Sequence, residues 1–508
     1  MSGWHIREEW EVRSERCSFG RGATWGLKEG FVVGVSLVLG GLLLQLWAGP
    51  VEWGALAWPV NGAVLVGLLA VIAALYACGA KGAVFGCDGI AAYRTGGAVS
   101  SLACAAVLTL AMGLTRQEEG GAWLNDMTSF WPFVLTYAYA VVVLGLATVG
   151  RVRRILGCDG IAAYRTGGAV LGWRNAAFVL SHAGLFVALT AAALGHADMQ
   201  RVKMTTATGV REWRAVDGHG GVKEMPLTIE LQRFIMETYD DGSPRRIASE
   251  IMVETKGGRT ARAVVDVNRP YEVDGWRIYQ YGYDTQKGAE SRVSVLELVS
   301  DPWLPLVYTG FYMMLAGAVC LFFGGRQAKK WKYGWVLSFA ALLSLVFISE
   351  YVFEPLFLSR KLMPALQSPW FAPHVVVYMF AYAVLGVATL MAAYLLFAKR
   401  RGATKDMLAT VDGLVGLGLS SLTVGMLFGA FWAKEAWGHY WSWDPKETWA
   451  AVTWLAYLVY VHYRLVPRHR ERLALWVLIV SFALLQMCWW GVNYLPSARA
   501  ASVHTYNV

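Results

Sequence analysis

The run at residues 437–449, Trp-Gly-His-Tyr-Trp-Ser-Trp-Asp-Pro-Lys-Glu-Thr-Trp, combines the residue types that a large flat ligand needs. Its indole rings offer flat apolar faces, and Lys446 offers a cation for an anionic edge. Composition alone permits a second interpretation, an aromatic belt at headgroup level. Both interpretations place the run at a membrane surface, because long apolar stretches precede and follow it.

The histidines form two candidate pairs. His374 and His504 lie on either side of the aromatic run in sequence, and His182 and His462 lie inside predicted membrane spans. Haem iron takes two axial ligands, and imidazole is a common one. An ionisable side chain inside a span is costly and is therefore a functional candidate. The alternative for His182 is a neutral imidazole that hydrogen-bonds a neighbouring helix.

The elements that must position these residues are membrane helices. The chain has 508 residues, of which 56% are hydrophobic and 16% charged, and its mean hydropathy is +0.41. This composition predicts an α-helical polytopic membrane protein with about eleven transmembrane helices. The candidate spans lie near residues 30–48, 60–78, 98–114, 131–149, 174–195, 303–324, 334–350, 373–397, 411–432, 449–464 and 473–490.

Basic clusters predict the orientation of these spans. They lie at residues 151–154, 326–332, 399–405 and 464–472, and all fall on one side if every span crosses once. The positive-inside rule makes that side cytoplasmic, with the N-terminus inside and the aromatic run and the C-terminus outside. We therefore expect a multi-pass protein of the cytoplasmic (inner) membrane. The net charge of +9 is interpreted as a topology signal and not as a nucleic-acid footprint.

One polar segment, residues 197–300, shows period-two alternation broken by turn residues. It predicts an extracytoplasmic, mainly β domain. The predicted division is a cytoplasmic segment at 1–29, a membrane region at 30–195, the β domain at 196–302 and a second membrane region at 303–508. An identical 14-residue repeat at 86–99 and 157–170 indicates a duplication, and it matches no phosphate-binding fingerprint.

The chain has seven cysteines but neither a CxxC nor a CxxCH motif. We therefore expect no zinc knuckle, no thioredoxin-like redox pair and no covalent attachment of haem to this chain.

The pattern WGxxWxWDPKETW resembles the tryptophan-rich "WWD" signature of haem-handling proteins in cytochrome c maturation. From about residue 334 the chain is similar to CcsA/ResC, with the WWD loop at 433–449 and a tail, Gly-Val-Asn-Tyr followed by Val-His-Thr-Tyr, that resembles the family's ending. The middle resembles ResB in Val267-Asn-Arg-Pro, Gly275-Trp-Arg-Ile-Tyr-Gln and Asp301-Pro-Trp, and His182-Ala-Gly resembles its membrane histidine. The chain thus resembles the fused ResB–ResC cytochrome c synthases of the CcsBA family.

The resemblance implies a haem-transporting holocytochrome c synthase. Haem b, held without a covalent bond, would enter from the cytoplasm between His182 and His462 and pass outward to His374 and His504. It would then be joined by thioethers to a CxxCH apocytochrome c, with a thioredoxin-like reductant of the ResA/CcdA type as a further partner. In this picture Trp437, Trp441 and Trp443 pack against the haem ring. Asp444 caps or orients the loop, and Lys446 binds a propionate or a lipid headgroup.

Three other functions stay open at this level. A haem exporter or chaperone without ligation activity would use the same two sites. A b-type haem electron-transfer protein would keep paired histidines inside its spans at both depths. A solute transporter with an aromatic gate would bind no haem.

Overall fold

The computed structural model describes residues 27–80, 89–114, 127–156, 172–218, 220–324, 342–346, 348–349, 361–397, 405–466 and 469–495. Long helices make up most of this part of the chain. They are α1 (Leu27–Ala48), α2 (Val60–Ala80), α3 (Gly89–Leu114), α4 (Trp131–Ile155), α5 (Trp173–Gly195), α6 (Leu304–Gly324), α7 (Phe371–Phe397), α8 (Lys405–Trp437), α9 (Pro445–Leu465) and α10 (Glu471–Trp489).

Eight of the described helices are long and apolar enough to cross a membrane, and α3 contributes a shorter apolar stretch, Ala98–Met112. The prediction of a multi-pass α-helical membrane protein is therefore confirmed. Helix α9 has a more polar sequence, which carries Lys446, Glu447, His462 and Arg464. The N-terminal segment 1–26, the second repeat at 157–170 and most of the predicted span at 334–350 lie outside the described residues.

The polar segment forms an eight-stranded sheet, so the predicted β domain is also confirmed. Its strands are β1 (Gln200–Ala207), β2 (Arg211–Asp217), β3 (Val222–Thr238), β4 (Pro244–Thr255), β5 (Thr260–Asp266), β6 (Tyr271–Val273), β7 (Trp276–Tyr283) and β8 (Val293–Ser300). Their order is β5-β4-β3-β2-β1-β8-β7-β6, and the neighbouring strands pair antiparallel.

Alternation along β3 builds the core of this domain. Leu227, Ile229 and Leu231 are buried, and the residues between them are more exposed. In the register, Ile229 lies opposite Val253 and Leu231 opposite Ile251, both also buried. Each such side chain removed from water contributes about 1.5–3 kcal/mol. The one-in-one-out pattern therefore gives the inserted segment a core of its own.

Helices α5 and α6, which enter and leave the β domain, pack at backbone contact. A Cβ atom added to Gly184 would lie 2.7 Å from the carbonyl oxygen of Gly310, and one added to Gly310 would lie 2.6 Å from the carbonyl oxygen of Gly184. Small residues allow this close approach between membrane helices. The two helices thus form a tightly packed base beneath the sheet.

Helices α3 and α4, whose role the sequence did not reveal, pack against α9. A buried cluster joins Leu108 and Met112 of α3 and Phe133 of α4 to Val452 and Leu455 of α9. Residues of the aromatic run also lie against this cluster. The N-terminal helices therefore form the wall behind the aromatic run.

Candidate functional site

The aromatic run folds as the end of α8, a seven-residue loop and the start of α9. Helix α8 continues to Trp437 and α9 begins at Pro445, so the non-helical part is 438–444 and is shorter than the predicted loop at 433–449. Two left-handed residues bound it, Gly438 with φ +76° and Trp443 with φ +58°. A Cβ atom at Gly438 would also lie 3.2 Å from atoms of Tyr279 and Val299. Glycine is therefore required there by both conformation and space.

A capping box closes the loop onto α9. The backbone N–H of Glu447 donates to Oδ1 of Asp444 at 2.7 Å, and Glu447 Oε2 accepts from the backbone N–H groups of Ser442 at 2.7 Å and Asp444 at 3.4 Å. Pro445 occupies the first helical turn, where its missing N–H costs no hydrogen bond. The Asp-Pro-Lys-Glu sequence is thus a helix start, and Asp444 caps the helix as the sequence suggested.

The tryptophans of the run fall into two groups. The ring centroids of Trp441 and Trp443 lie 5.7 Å apart at 84°, and Trp443 also packs edge-on against Phe133 of α4 at 5.8 Å. Trp437 instead packs on Trp432, one helical turn earlier, at 5.1 Å. The indole Nε1 of Trp441 is buried and has no acceptor among the described residues. A buried donor of this kind fits a carboxylate-bearing aromatic ligand.

His374 lies in the first turn of α7, at the start of the span that the sequence predicted from residue 373. Its Nδ1 donates to the carbonyl oxygen of Gly425 on α8 at 2.8 Å, and this tautomer carries its lone pair on Nε2. Its ring lies 5.8 Å from that of Trp432. A Cβ atom at Gly429 would lie 2.8 Å from Cε1 of His374. The imidazole is therefore oriented by α8 and joined through Trp432 to Trp437.

The predicted partner, His504, lies outside the described residues. Lys446 lies in the first turn of α9, directly after the cap, and is partly buried. The structure thus describes one of the two outer histidines together with the loop beside it.

His182 and His462 lie toward the opposite end of the helices. Each Nδ1 donates to the carbonyl four residues earlier, Phe178 and Leu458 respectively, at 2.9 Å. Each tautomer therefore also carries its lone pair on Nε2. The ring of His182 stacks on that of Phe178 at 3.8 Å. The pairing of these two imidazoles on one haem iron stays a prediction.

The β domain binds the aromatic loop directly. Nζ of Lys434 lies 3.4 Å from Oδ2 of Asp301 and donates to the carbonyl oxygen of Gly438 at 3.0 Å. Arg201 holds the buried Glu297 through two hydrogen bonds and also donates to the carbonyl oxygen of Trp437 at 3.2 Å. These contacts place the loop and the β domain at the same end of the helical bundle, as predicted.

Tyr440, inside the loop, is neutral at physiological pH. Burial raises the pKa of its hydroxyl well above the usual range, and the carboxylate of Asp301 raises it further. The ring lies 5.9 Å from that of Phe311 on α6. An uncharged phenol can pack against an apolar planar ligand, because no charge is then buried beside it.

A cavity of about 260 Å³ lies between the β domain and α8. The ResB-like stretches at 267–270 and 275–280 both line it, since its lining residues are Asn268, Pro270, Glu272, Arg277, Tyr279, Tyr308, Lys434 and Glu435. Those stretches therefore lie where the β domain contacts the end of α8, next to the loop 438–444.

Sequence reasoning missed several residues of this site. Gly425 and Gly429, spaced one helical turn apart on α8, make room for the rings of Tyr378 and His374. Lys434 is a buried cation near the end of an otherwise mostly apolar helix. The four-residue spacing of the glycines and the single lysine can be seen in the sequence. Neither pattern identifies the residue that is contacted on another helix or strand.

Two regions of the chain match known families. Residues 171–296 match the ResB-like family, and residues 303–498 match the family described as Cytochrome C assembly protein. The boundary between them coincides with the end of the sheet and the start of α6. The match to the assembly family thus begins earlier than the resemblance from about residue 334 suggested.

Similar proteins include three named Cytochrome c biogenesis protein CcsA. The protein of Chlamydomonas reinhardtii is 39% identical over 157 residues, which are 29% of this chain and 43% of that protein. The protein of Guillardia theta is 35% identical over 176 residues (29% and 57%), and that of Synechococcus sp. (strain RCC307) is 35% identical over 200 residues (33% and 63%). The chain thus spans about half the length of these relatives.

Proposed function

We propose that this chain, a fused ResB–ResC protein of the CcsBA type, carries haem outward across the cytoplasmic membrane and joins it to apocytochrome c. The observation that carries the proposal is the pairing of an aromatic loop with an oriented imidazole. Nδ1 of His374 is fixed by the Gly425 carbonyl, and Trp432 links its ring to Trp437. Named relatives of the C-terminal region function in cytochrome c biogenesis, which supports haem as the cargo.

The inner site receives haem. His182 and His462 would ligate the iron through their Nε2 atoms, since each Nδ1 is already committed to a backbone carbonyl. Both are neutral donors inside the helical bundle, which suits a haem b that is bound without a covalent link. Haem then passes outward to the loop 438–444.

The outer site presents haem for reaction. His374 and His504 would be the axial ligands there, with Trp437, Trp441 and Trp443 against the macrocycle. The buried Nε1 of Trp441 and the cation of Lys446 would meet the propionates. Asp444 supports this arrangement by capping α9 and not by touching the ligand.

The chemistry needs no nucleophile from this protein. Each thiol of a CxxCH motif adds across one haem vinyl group: a sulfur–carbon bond forms at the ring-proximal carbon, and the thiol proton ends on the terminal carbon. No electrons are gained or lost, so the thiols must only arrive reduced, which is the task of a thioredoxin-like reductant. Positioning supplies the catalysis, and holding reactants in order is worth up to about 7–11 kcal/mol. The substrate histidine finally replaces one outer ligand.

The test is co-expression with a CxxCH apocytochrome c in a host without its own maturation system. The expected result is a haem-stained cytochrome band, together with purified synthase whose haem b is released by acidic acetone. His374→Ala should abolish the band and the outer haem, and His462→Ala should deplete outer haem because supply comes through the inner site. His196→Ala, whose ring packs on Trp53, is the matched control and should leave the band intact.

Two outcomes decide between the candidate functions. Haem binding without a cytochrome band would indicate an exporter without ligation activity. Full outer haem in the His462→Ala variant would refute the relay.

A further inference from the structure

Two arginines in the last turns of α4, Arg151 and Arg153, point to different sides of the helix. The guanidinium carbon of Arg151 lies 5.2 Å from the ring centroid of Phe178 on α5. The guanidinium carbon of Arg153 lies 5.2 Å from the ring centroid of Tyr76 on α2. Two residues along an α-helix turn the side chain by about 200°, so of these two arginines Arg151 faces the interface with α5.

Phe178 connects Arg151 to the inner histidine pair. Its ring contacts both the guanidinium and the imidazole of His182, which stacks on it at 3.8 Å and an angle of 16°. A permanent cation is thus connected to His182 through one aromatic ring, at the proposed inner site.

The guanidinium of Arg151 favours an anionic ligand at this site. Guanidinium stays protonated at any physiological pH, and its planar fork matches a carboxylate with two parallel hydrogen bonds. The guanidinium of Arg151 near the histidine ligands repels a second cation. It favours a metal-containing ligand that also carries carboxylates.

Resting on the proposed function, we infer that Arg151 is a carboxylate-binding residue of the inner site and binds a propionate of the haem ligated by His182 and His462. Haem carries its propionates on one edge and its vinyl groups on the opposite edge. Arg151 lies near the C-terminal end of α4, at the predicted cytoplasmic face. The propionates therefore face the cytoplasm, and the vinyl groups lead as haem moves outward.

The experiment compares haemin with haemin dimethyl ester, in which both propionates are uncharged. Full-length protein carrying His374→Ala, which leaves only the inner site, is titrated with each ligand and followed by its Soret band. Arg151→Gln should raise the Kd for haemin about tenfold, equivalent to about 1.4 kcal/mol, and leave the Kd for the ester unchanged. Arg151→Lys should lie between Arg151→Gln and the unmodified Arg151, since it keeps the charge but not the fork.

Arg153→Gln is the matched control and should change neither Kd, because its guanidinium packs on Tyr76. Normal binding of the ester by Arg151→Gln also demonstrates that the variant is folded. The inference is overturned if Arg151→Gln weakens both ligands equally or neither, or if Arg153→Gln has the same effect on haemin. Failure of the proposed inner site itself gives a different result, namely an unchanged haem spectrum when His182 or His462 is replaced by alanine.

Discussion

Nζ of Lys434 lies 3.4 Å from Oδ2 of Asp301, and this ion pair joins the last turn of α8 to the end of the β domain. Both side chains are buried, at 2% and 8% exposure. The same ammonium donates to the carbonyl oxygen of Gly438, where the aromatic loop begins. The position of the loop is therefore determined jointly by the ResB-like sheet and by the helix of the assembly region.

Breaking this ion pair should loosen the loop. Lys434→Met leaves the Asp301 carboxylate buried without its cation, a change that costs about 3–5 kcal/mol. We expect a lower apparent melting temperature in detergent and faster amide exchange across 438–444. Asp301→Asn should act similarly, and the double variant should cost less than the sum of the two single changes.

The matched control for that cycle is the exposed pair of Arg211 and Glu254, with side-chain exposures of 66% and 41%. Exposed pairs contribute little, so Arg211→Met should leave both measurements nearly unchanged. Equal effects of Lys434→Met and Arg211→Met would contradict the role given to the buried pair.

The capping box predicts how the loop responds to changes at Asp444. Asp444→Ala removes the side-chain acceptor of the Glu447 N–H and should cost about 0.5–2 kcal/mol, whereas Asp444→Ser keeps an acceptor and should cost much less. Haem occupancy of the outer site, measured by its Soret absorbance, should fall in the first variant and be retained in the second. An equal loss in both would instead mean that the carboxylate itself touches haem.

Gly429 predicts a steric test of the His374 orientation. An added methyl group would lie 2.8 Å from Cε1 and 2.9 Å from Nδ1 of His374, so Gly429→Ala should displace the ring. We expect a bis-imidazole haem spectrum from the outer site to be lost or shifted. Gly416, on the same helix, has no atom within 4 Å of an added Cβ, and Gly416→Ala should leave the spectrum unchanged. Identical spectra for both variants would count against His374 as a ligand.

Asp198 predicts a pH dependence of stability. The Trp58 backbone N–H, together with the Asn61 amide and the Trp303 indole, holds the pKa of this carboxyl below its ordinary value of 3.8. A depressed pKa contributes stability that is present above the ordinary value and is lost as the pH falls through the lowered one. The apparent melting temperature should therefore drop at acidic pH, and this drop should be smaller in Asp198→Asn. A steeper drop in the variant would reverse the assigned sign.

Much of the fold was predictable because its signals are local. Apolar stretches as long as a bilayer is thick predict helices such as α7 and α10. The alternation of Leu227, Ile229 and Leu231 predicts a strand with one buried face. A helix start is predicted by Asp444 followed by Pro445 and Glu447, because the capping hydrogen bonds join residues only three positions apart. Each of these patterns depends on backbone geometry over a few residues, and neighbours far along the chain do not alter it.

By itself the sequence indicated the membrane helices, the β domain, the aromatic run and the histidines proposed as haem ligands. Only the tertiary structure decided which partners they meet: Gly425 for the Nδ1 of His374, Asp301 for Lys434, Phe178 for Arg151, and the wall of α3 and α4 behind Trp443. The reason is physical. These contacts join residues tens to hundreds of positions apart, and their geometry follows from how closely whole helices and the sheet pack, which no local pattern of residues encodes.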